Sequence, residues 1–348
     1  MRKRNAVIAG VCVAGVVIGL AGVIIFRGFR DPGHKMVSKA GFVEKQVRIG
    51  EAMFNYAEGP DNGPPLLLLH AQHMDWFSYT RVMPRLSQSF HVYALDYHGH
   101  GKTAVSVDRM NANDMGEDLS LFISEVAGEP VFVSGNSSGG IMAAWLAANS
   151  PSLVRAVVLE DPSLFSSEYP RILDTVADKS FAICSRYVDL GEGKGGFAEY
   201  WAGAVSDFFV KQVGFDISPV LVSSINVYRK ANPGEPVEIV FLPEIIRLMI
   251  RGMCYYDPAF GAGFHDGSWN QGFDHAEALE RISCPALLLH ANFEIEDGML
   301  NGALSQEEAD RIAALSGAEY RRVDAGHVIH LEKPDLFAET LEGFFLDA

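Results

Sequence analysis

The sequence predicts an α/β fold in which helices cover both faces of a mostly parallel sheet. Short, continuously apolar runs recur along the chain, as in Leu66–Leu69, Ala156–Leu159 and Ala286–Leu289. Such runs are typical of parallel strands, which are buried on both faces. Helix-forming stretches alternate with these runs, which is the pattern of βαβ units. A third indication is a strand, a tight turn and a helix in direct succession over residues 131–148.

Composition limits the classes of partner. The chain has 348 residues, 48% of them hydrophobic and 21% charged, so it can bury a sizeable core. Its formal net charge of −16 argues against nucleic acid as a partner, because no basic surface is available to neutralise phosphates. The four cysteines, Cys12, Cys184, Cys254 and Cys284, show no C-x-x-C spacing, so we expect neither a disulfide framework nor a zinc site.

The N-terminal segment has the pattern of a membrane anchor. A basic cluster precedes an uncharged run over residues 6–26, which is long enough to cross a bilayer as a helix. A cleaved signal peptide has a shorter apolar region and a small-residue cleavage site, which is not evident here. We therefore expect a single-pass signal anchor over 1–30 and a linker over 31–41. The distribution of basic residues favours an extracytoplasmic domain in the cell membrane.

The predicted core spans residues 42–162 and 276–348. A short β-hairpin opens it, and strands then alternate with helices. The expected strands are 47–50, 52–56, 66–69, 91–95, 131–133, 156–159, 286–289 and 320–323, and the expected helices are 76–87, 113–126, 141–148, 305–315 and 334–345.

The alternation stops between residues 163 and 275. This stretch is helical in character and rich in aromatic residues. We expect a helical cap inserted before the penultimate strand. Most of its rings should form the core of the cap, and a few should line a pocket for a small to medium, partly apolar substrate.

The segment over residues 131–148 carries the clearest chemistry. The sequence from Gly135 to Gly139 fits G-x-S-x-G between a strand and a helix, which is the context of a nucleophile elbow. Glycines on either side of the serine avoid clashes on so sharp a turn. The helix behind Ser137 directs its free N–H groups at charge developing there. Short Gly/Ser patterns also occur in ordinary turns, but this context predicts that Ser137 is a nucleophile.

Several motifs occur in an order that resembles the α/β-hydrolase superfamily, in its branch with a serine nucleophile and a cap. A strand ends at His70-Ala71, and an Asp-x-x-Gly-x-Gly-x-Thr turn spans 96–103. The elbow, the long insertion and a Gly-His-x-x-His-x-Glu-x-Pro motif over 326–334 follow. The resemblance covers residues 42 to the C-terminus. It implies the α/β-hydrolase fold and a triad in the order serine, acid, histidine.

The resemblance also implies the general base and the oxyanion hole. His327, directly after a glycine, is the expected base, and His330 is the competing histidine that packs nearby. The oxyanion hole would use the N–H groups of Ser138 and Gln72. Ala71 departs from the glycine that usually follows the histidine in this family.

The triad acid has several candidates. Aligned from the end of the penultimate strand, Glu294 takes the acid position, with Asp297 second and Glu296 third. Asp161, after the earlier strand, is another position that some relatives use. A metal site built from His70, His73 and Asp75 is not expected, because the metallohydrolase spacing is not met. We expect no metal and no cofactor.

A serine nucleophile narrows the reaction. Dehalogenases and epoxide hydrolases of this fold carry aspartate at the elbow, so Ser137 argues against them. We expect a membrane-anchored hydrolase that cleaves a carboxylic ester, thioester, lactone or amide of a small molecule through an acyl-serine. The elbow also resembles that of carbon–carbon bond hydrolases acting on dienoic ring-cleavage products. A receptor-like protein with little turnover is the alternative of a different class.

Overall fold

An eight-stranded sheet forms the centre of the protein in a computed structural model that describes residues 30–192, 194–206, 216–239 and 242–348. Its strand order is β1-β2-β4-β3-β5-β6-β7-β10. The pairs β1–β2 and β2–β4 are antiparallel, and all the other neighbouring strands of this sheet are parallel. The strands are β1 Val43–Ile49, β2 Ala52–Glu58, β3 Pro65–Leu69, β4 His91–Asp96, β5 Val131–Asn136, β6 Val154–Glu160, β7 Ala286–His290, β8 Glu294–Glu296, β9 Met299–Asn301 and β10 Glu319–Arg322.

Helices lie on both faces of this sheet, which confirms the predicted fold class. The α-helices of the described residues are α1 Pro32–Lys39, α2 Met83–Leu86, α3 Ala112–Phe122, α4 Ser138–Asn149, α5 Asp178–Asp189, α6 Phe197–Ala204, α7 Ser218–Ala231, α8 Glu244–Met253, α9 Pro258–Asp266, α10 His275–Arg281, α11 Gln306–Ser316, α12 Ile329–Glu332 and α13 Pro334–Asp347. A capping box opens α11, where Ser305 and Glu308 bond reciprocally.

The strand β3 shows why its sequence is apolar at every position. Leu67 and Leu69 pack into a core on one face of the sheet, together with the cap. Leu66 and Leu68 point the other way, into a second core with Phe345. Successive side chains of a strand alternate between faces, so a strand covered on both sides needs an apolar residue at each position.

Between β6 and β7 the elements of the described chain are helical, as expected for a cap. Phe264 stacks on Trp269 with ring centroids 4.3 Å apart, and both rings are buried. These aromatic residues therefore belong to the core of the cap. The cap boundaries at residues 163 and 275 stay a prediction.

Residues 31–41, expected as a linker, instead form the helix α1 and its flanks. Asp31 caps the helix, because its Oδ1 accepts a hydrogen bond from the Gly33 N–H at 2.8 Å, and Pro32 takes the first helical position. The helix is also fastened to the cap, since Arg247 donates to Asp31 Oδ2 at 2.8 Å. The linker prediction was therefore wrong.

The predicted membrane anchor over 1–30 lies outside the described residues, apart from Arg30. Within the described part of the chain, no helix has the length and apolar character needed to cross a membrane.

Candidate active site

The turn between β5 and α4 places Ser137 in a strained conformation. Its φ of 57° and ψ of −120° are unfavourable for a residue with a Cβ. The flanking glycines make the turn possible. A Cβ on Gly135 would lie 2.1 Å from the Gly139 oxygen, and a Cβ on Gly139 would lie 2.2 Å from the Leu69 oxygen. The segment therefore has the geometry of a nucleophile elbow.

Ser137 lines a cavity of about 450 Å³ that His327 also lines. The hydroxyl oxygen of Ser137 lies 3.0 Å from the Ser163 hydroxyl oxygen. Within the described residues, the Ser137 hydroxyl bonds to Ser163 and not to His327, whose described partner is Asp161. Catalytic hydrogen bonds often tighten only when substrate is bound, so the arrangement is compatible with a nucleophile and its base.

His327 lies in the loop after β10 and has a carboxylate partner. Its Nδ1 is 2.7 Å from Asp161 Oδ2. Asp161 is buried, and its Oδ1 accepts a hydrogen bond from the Ala291 N–H at 3.1 Å. Because Nδ1 is engaged, Nε2 is the ring nitrogen left to exchange a proton in the cavity.

The electrostatics of this pair favour the charged imidazolium. Burial lowers the pKa of His327, but the hydrogen bond and the negative charge of Asp161, with the charge of Glu160, outweigh burial and raise that pKa above its ordinary value. A carboxylate that stabilises the imidazolium is what a general base in acyl transfer requires.

The structure does not place Glu294 beside His327, which corrects the expected acid partner. Glu294 is exposed in the small β8–β9 hairpin, where it pairs with Asn301. The hairpin follows β7 and is tied to the cap through a bridge between Leu300 and Thr175. The same hairpin also contains Glu296 and Asp297. Asp161, retained as an alternative, makes the contact.

Asp161 reaches His327 because of its backbone. It follows β6 with a φ of 41°, and its N–H donates to the Leu289 oxygen at 2.7 Å. This left-handed backbone conformation sets the direction of the Asp161 side chain at the carboxyl edge of the sheet. No local sequence motif marks this position.

The second histidine of the motif lies apart from the cavity lining. His330 is fully buried, its Nδ1 lies 2.9 Å from Glu160 Oε1, and its ring stacks on Tyr79 with centroids 4.1 Å apart. It packs near the site, as expected.

The two residues expected to form the oxyanion hole both line the cavity. Ser138 is the first residue of α4, and Gln72 follows β3; both line the cavity with Ser137. The described residues offer no acceptor to either N–H. Their side chains are engaged elsewhere: the Ser138 hydroxyl lies 2.8 Å from Tyr97 Oη, and Gln72 Nε2 donates to Tyr256 Oη at 2.7 Å.

The polar residues of the loop after β3 point in different directions. His70 stacks on Tyr97 with centroids 4.4 Å apart, and burial lowers its pKa to about 3. His73 packs against Tyr256, and Asp75 accepts from Arg251 at 3.0 Å. These side chains therefore serve packing and ion pairing.

Most of the cavity lining is apolar and comes from the cap. The sequence did not indicate which cap residues face the cleft, nor that Ser163 would touch Ser137. The cap residues of the lining include Ile172, Phe181, Ile183, Trp201, Val205, Ile245, Ile246, Met249 and Phe264.

Most of the chain matches a known protein family. The model of the alpha/beta hydrolase family matches residues 66–340. The chain belongs to the alpha/beta hydrolase family. The match includes the elbow serine, Asp161 and His327 of this family member.

Individual relatives differ in what their names describe. The 30 kDa subunit of magnesium chelatase from Rhodobacter capsulatus is 27% identical over 294 residues, covering 83% of this chain and 88% of its own. A carboxylesterase structure from Bacillus subtilis has a TM-score of 0.63 at 18% identity, covering 94% of this chain and 99% of its own. A bacterial membrane phospholipase A structure has a TM-score of 0.62 at 19% identity, covering 99% and 98%. These structures share the fold, which does not define the substrate.

Proposed function

We propose that this hydrolase-family protein cleaves a carboxylic ester, thioester, lactone or amide through an acyl-serine intermediate. The observation that carries the proposal is the 2.7 Å contact between Asp161 and His327 beside the cavity that Ser137 lines. Together, the three residues supply the nucleophile, base and acid of acyl transfer.

Each side chain has a defined role in this proposal. Ser137 Oγ attacks the carbonyl carbon while His327 Nε2 takes its proton. The N–H groups of Ser138 and Gln72 stabilise the oxyanion. His327 then gives the proton to the leaving group, and the acyl-serine forms. Water, deprotonated by the same nitrogen, releases the acid and restores Ser137.

The cavity supports a small to medium, partly apolar substrate. Its volume of about 450 Å³ lies within the range of small-molecule pockets. Side chains such as Phe181, Trp201 and Met249 offer apolar surface to an acyl or alkyl group.

We also propose that residues 6–26 attach the protein to the cell membrane, with the domain on the extracytoplasmic side. The support is the length and uncharged character of that run and the basic residues before it.

The experiment is ester turnover by variants of the two serines that touch. With p-nitrophenyl butyrate, Ser137→Ala should lower kcat at least about a thousandfold, because triad members act as a unit. Ser163→Ala should retain turnover within about tenfold of wild type, since the Ser163 hydroxyl shares only one hydrogen bond with the Ser137 hydroxyl. Near-normal turnover by Ser137→Ala would overturn the proposal.

The hydrogen bond between Ser137 and Ser163 favours a second candidate, a ligand-binding protein with little turnover. In that case wild-type protein would show no turnover of esters, thioesters, amides or dienoic ring-cleavage ketones, whereas a ligand from the same panel would raise its melting temperature. Turnover of only the dienoic ketones would instead support the carbon–carbon bond hydrolase.

A further inference from the structure

The helix α1 has one buried side and one exposed side. Gly33 and Val37 are buried, and Val37 packs into the second core, on the same side of the sheet as Phe345. Lys35, Met36 and Lys39 are exposed. Lys39 follows Lys35 by four positions and Met36 by three, so these side chains are neighbours on the helix surface. The three exposed side chains form the α1 face.

Basic residues are concentrated in this part of an acidic protein. The chain has a formal net charge of −16, yet residues 30–48 contain five basic residues and two acidic ones. The acidic side chains are engaged with residues outside this stretch, because Asp31 pairs with Arg247 and Glu44 pairs with Lys102. Within the described residues, the ion pairs of this stretch do not include the lysines of the α1 face. Their charges are therefore available to an anionic surface.

The start of α1 is close in the chain to the uncharged run over residues 6–26. Pro32, where α1 begins, is six positions beyond residue 26. An extended chain spans at most about 3.6 Å per residue, so the two points are at most about 22 Å apart. A domain of this size has a radius of gyration of about 20 Å and is therefore more than about 40 Å across. If the run crosses a bilayer, as proposed above, α1 lies on the half of the domain that is nearer to the bilayer.

The helix α1 is held firmly against the cap. The Asp31 N–H donates to Glu238 Oε2 at 2.9 Å, and Arg247 of α8 donates to Asp31 Oδ2 at 2.8 Å. Glu238 is also paired with the buried guanidinium of Arg251, at 2.8 Å. Because α1 is fixed in this way, contact of the α1 face with a surface would set the orientation of the whole domain. It would also place α8, which contributes to the cavity lining, towards that surface.

We propose that the α1 face docks on the surface of an anionic lipid bilayer. Lys35 and Lys39 bind the phosphates of the lipid headgroups, and Met36 packs between them at the boundary with the acyl chains. The inference rests on the proposed membrane attachment and goes beyond it, because it assigns a described surface of the domain to the bilayer. The contact requires anionic lipid in the leaflet that faces the domain, whichever side of the membrane that is.

Photocrosslinking in the full-length protein tests the contact. Met36 is replaced by p-benzoylphenylalanine, and the protein is reconstituted into vesicles of equal parts phosphatidylcholine and phosphatidylglycerol. After irradiation, mass spectrometry should detect a lipid adduct at position 36. Leu121 of α3 is the matched control, because it is 42% exposed against 40% for Met36 and its helix packs on the core of the opposite face of the sheet. The same replacement there should give severalfold less adduct.

Charge reversal tests the role of the two lysines. Lys35→Glu combined with Lys39→Glu should lower the adduct yield at position 36 at least about fivefold, because each basic residue near an anionic membrane strengthens binding by about that factor. Vesicles of phosphatidylcholine alone should lower the yield of the protein with both lysines in the same way. Circular dichroism verifies that the variant is folded.

Equal yields at positions 36 and 121, or a yield at position 36 that either change leaves unaltered, would overturn the inference. Flotation of the full-length protein with vesicles of phosphatidylcholine alone tests the anchor separately. If the protein does not float, the anchor proposal fails, and flotation with the anionic vesicles then decides the α1 face. Binding that the double charge reversal abolishes supports the inference, whereas no binding or unchanged binding overturns it. These measurements do not depend on ester turnover, so the hydrolase function is tested independently.

Discussion

The Asp161 carboxylate is fixed through both of its oxygens. Oδ1 accepts from the Ala291 N–H at 3.1 Å and Oδ2 faces His327 Nδ1 at 2.7 Å. Because the residue is buried, water does not compete for these contacts. The carboxylate thus holds His327 in the tautomer with a proton on Nδ1, which leaves Nε2 free to accept one.

Replacing this carboxylate gives the first prediction. Asp161→Asn should lower kcat for p-nitrophenyl butyrate by about a thousandfold or more, because an amide can donate to Nδ1 and hold the wrong tautomer. Glu294→Gln, at the exposed hairpin position, should stay within about twofold of wild type. The opposite order of the two variants would return the acid to Glu294. Circular dichroism verifies that both variants are folded.

The pH dependence follows from the raised pKa of His327. The base must be neutral to accept a proton, so kcat/KM should fall as the pH decreases through that pKa. Since Asp161 raises the pKa, the midpoint should lie above the ordinary histidine value of about 6.5. Asp161→Asn should move the residual activity's midpoint to lower pH. An acid limb below the ordinary value in wild-type protein would argue against the pairing.

Two of the candidate site residues lie in local motifs, which a sequence displays directly. Ser137 and His327 were marked by short motifs, and both line one cavity. The acid, Asp161, lies just after β6. Whether it reaches His327 depends on the directions taken by the loops after β6 and β10. The left-handed backbone at Asp161 and the hairpin that contains Glu294 are features of the folded chain, which a single sequence does not display.

At the scale of elements, the cap is tied to the oxyanion loop, residues 70–75. Gln72 donates to Tyr256 of the cap, and Asp75 is paired with Arg251 of α8. His73, with a φ of 63°, packs against the ring of Tyr256. The cap therefore helps to hold the loop whose N–H group would face the oxyanion.

Tyr256→Phe should reduce kcat severalfold with little change in KM. The hydroxyl is lost while the ring still packs, so the Gln72 N–H is held less firmly in the transition state but substrate contacts remain. Tyr255→Phe is the matched control, because its hydroxyl donates to the Gly234 oxygen in an exposed position. A rise in KM with unchanged kcat would mean that Tyr256 acts on substrate binding instead.

The elements missed by the sequence analysis are short. The strands β8 and β9 are too short to show a periodicity, and they are defined by their pairing with each other. Asp31-Pro32, an N-cap residue followed by proline, opens the helix α1, and the linker prediction did not use this signal. Its docking depends on a distant partner, Arg247, that sequence spacing does not indicate.

At the scale of the whole molecule, buried charges connect the chain's first described helix with the cap and the core. Arg251 pairs with both Asp75 and Glu238, and Glu238 accepts from the Asp31 N–H at 2.9 Å. His34 Nε2 lies 2.7 Å from the same glutamate. Removing one member of such a network leaves the others buried and poorly compensated.

Two truncations should therefore differ. Deleting residues 1–29 should leave the fold and turnover intact, because the contacts of α1 are retained. Deleting residues 1–41 should lower the melting temperature by several degrees, on the order of 5 °C, because Asp31 and His34 are lost from the network. Thermal unfolding followed by circular dichroism compares them, and equal melting temperatures would show that α1 adds no stability.

The proposed function depends on one claim, that His327 and Asp161 activate Ser137. A fluorophosphonate probe tests it directly, since such probes phosphonylate activated serines. Purified wild-type protein should be labelled, with the adduct located at Ser137 by mass spectrometry. Ser137→Ala should remain unlabelled, and Asp161→Asn should be labelled at least about a hundredfold more slowly. Labelling at Ser163, labelling that persists in Ser137→Ala, or an unlabelled wild-type protein that is folded would contradict the claim.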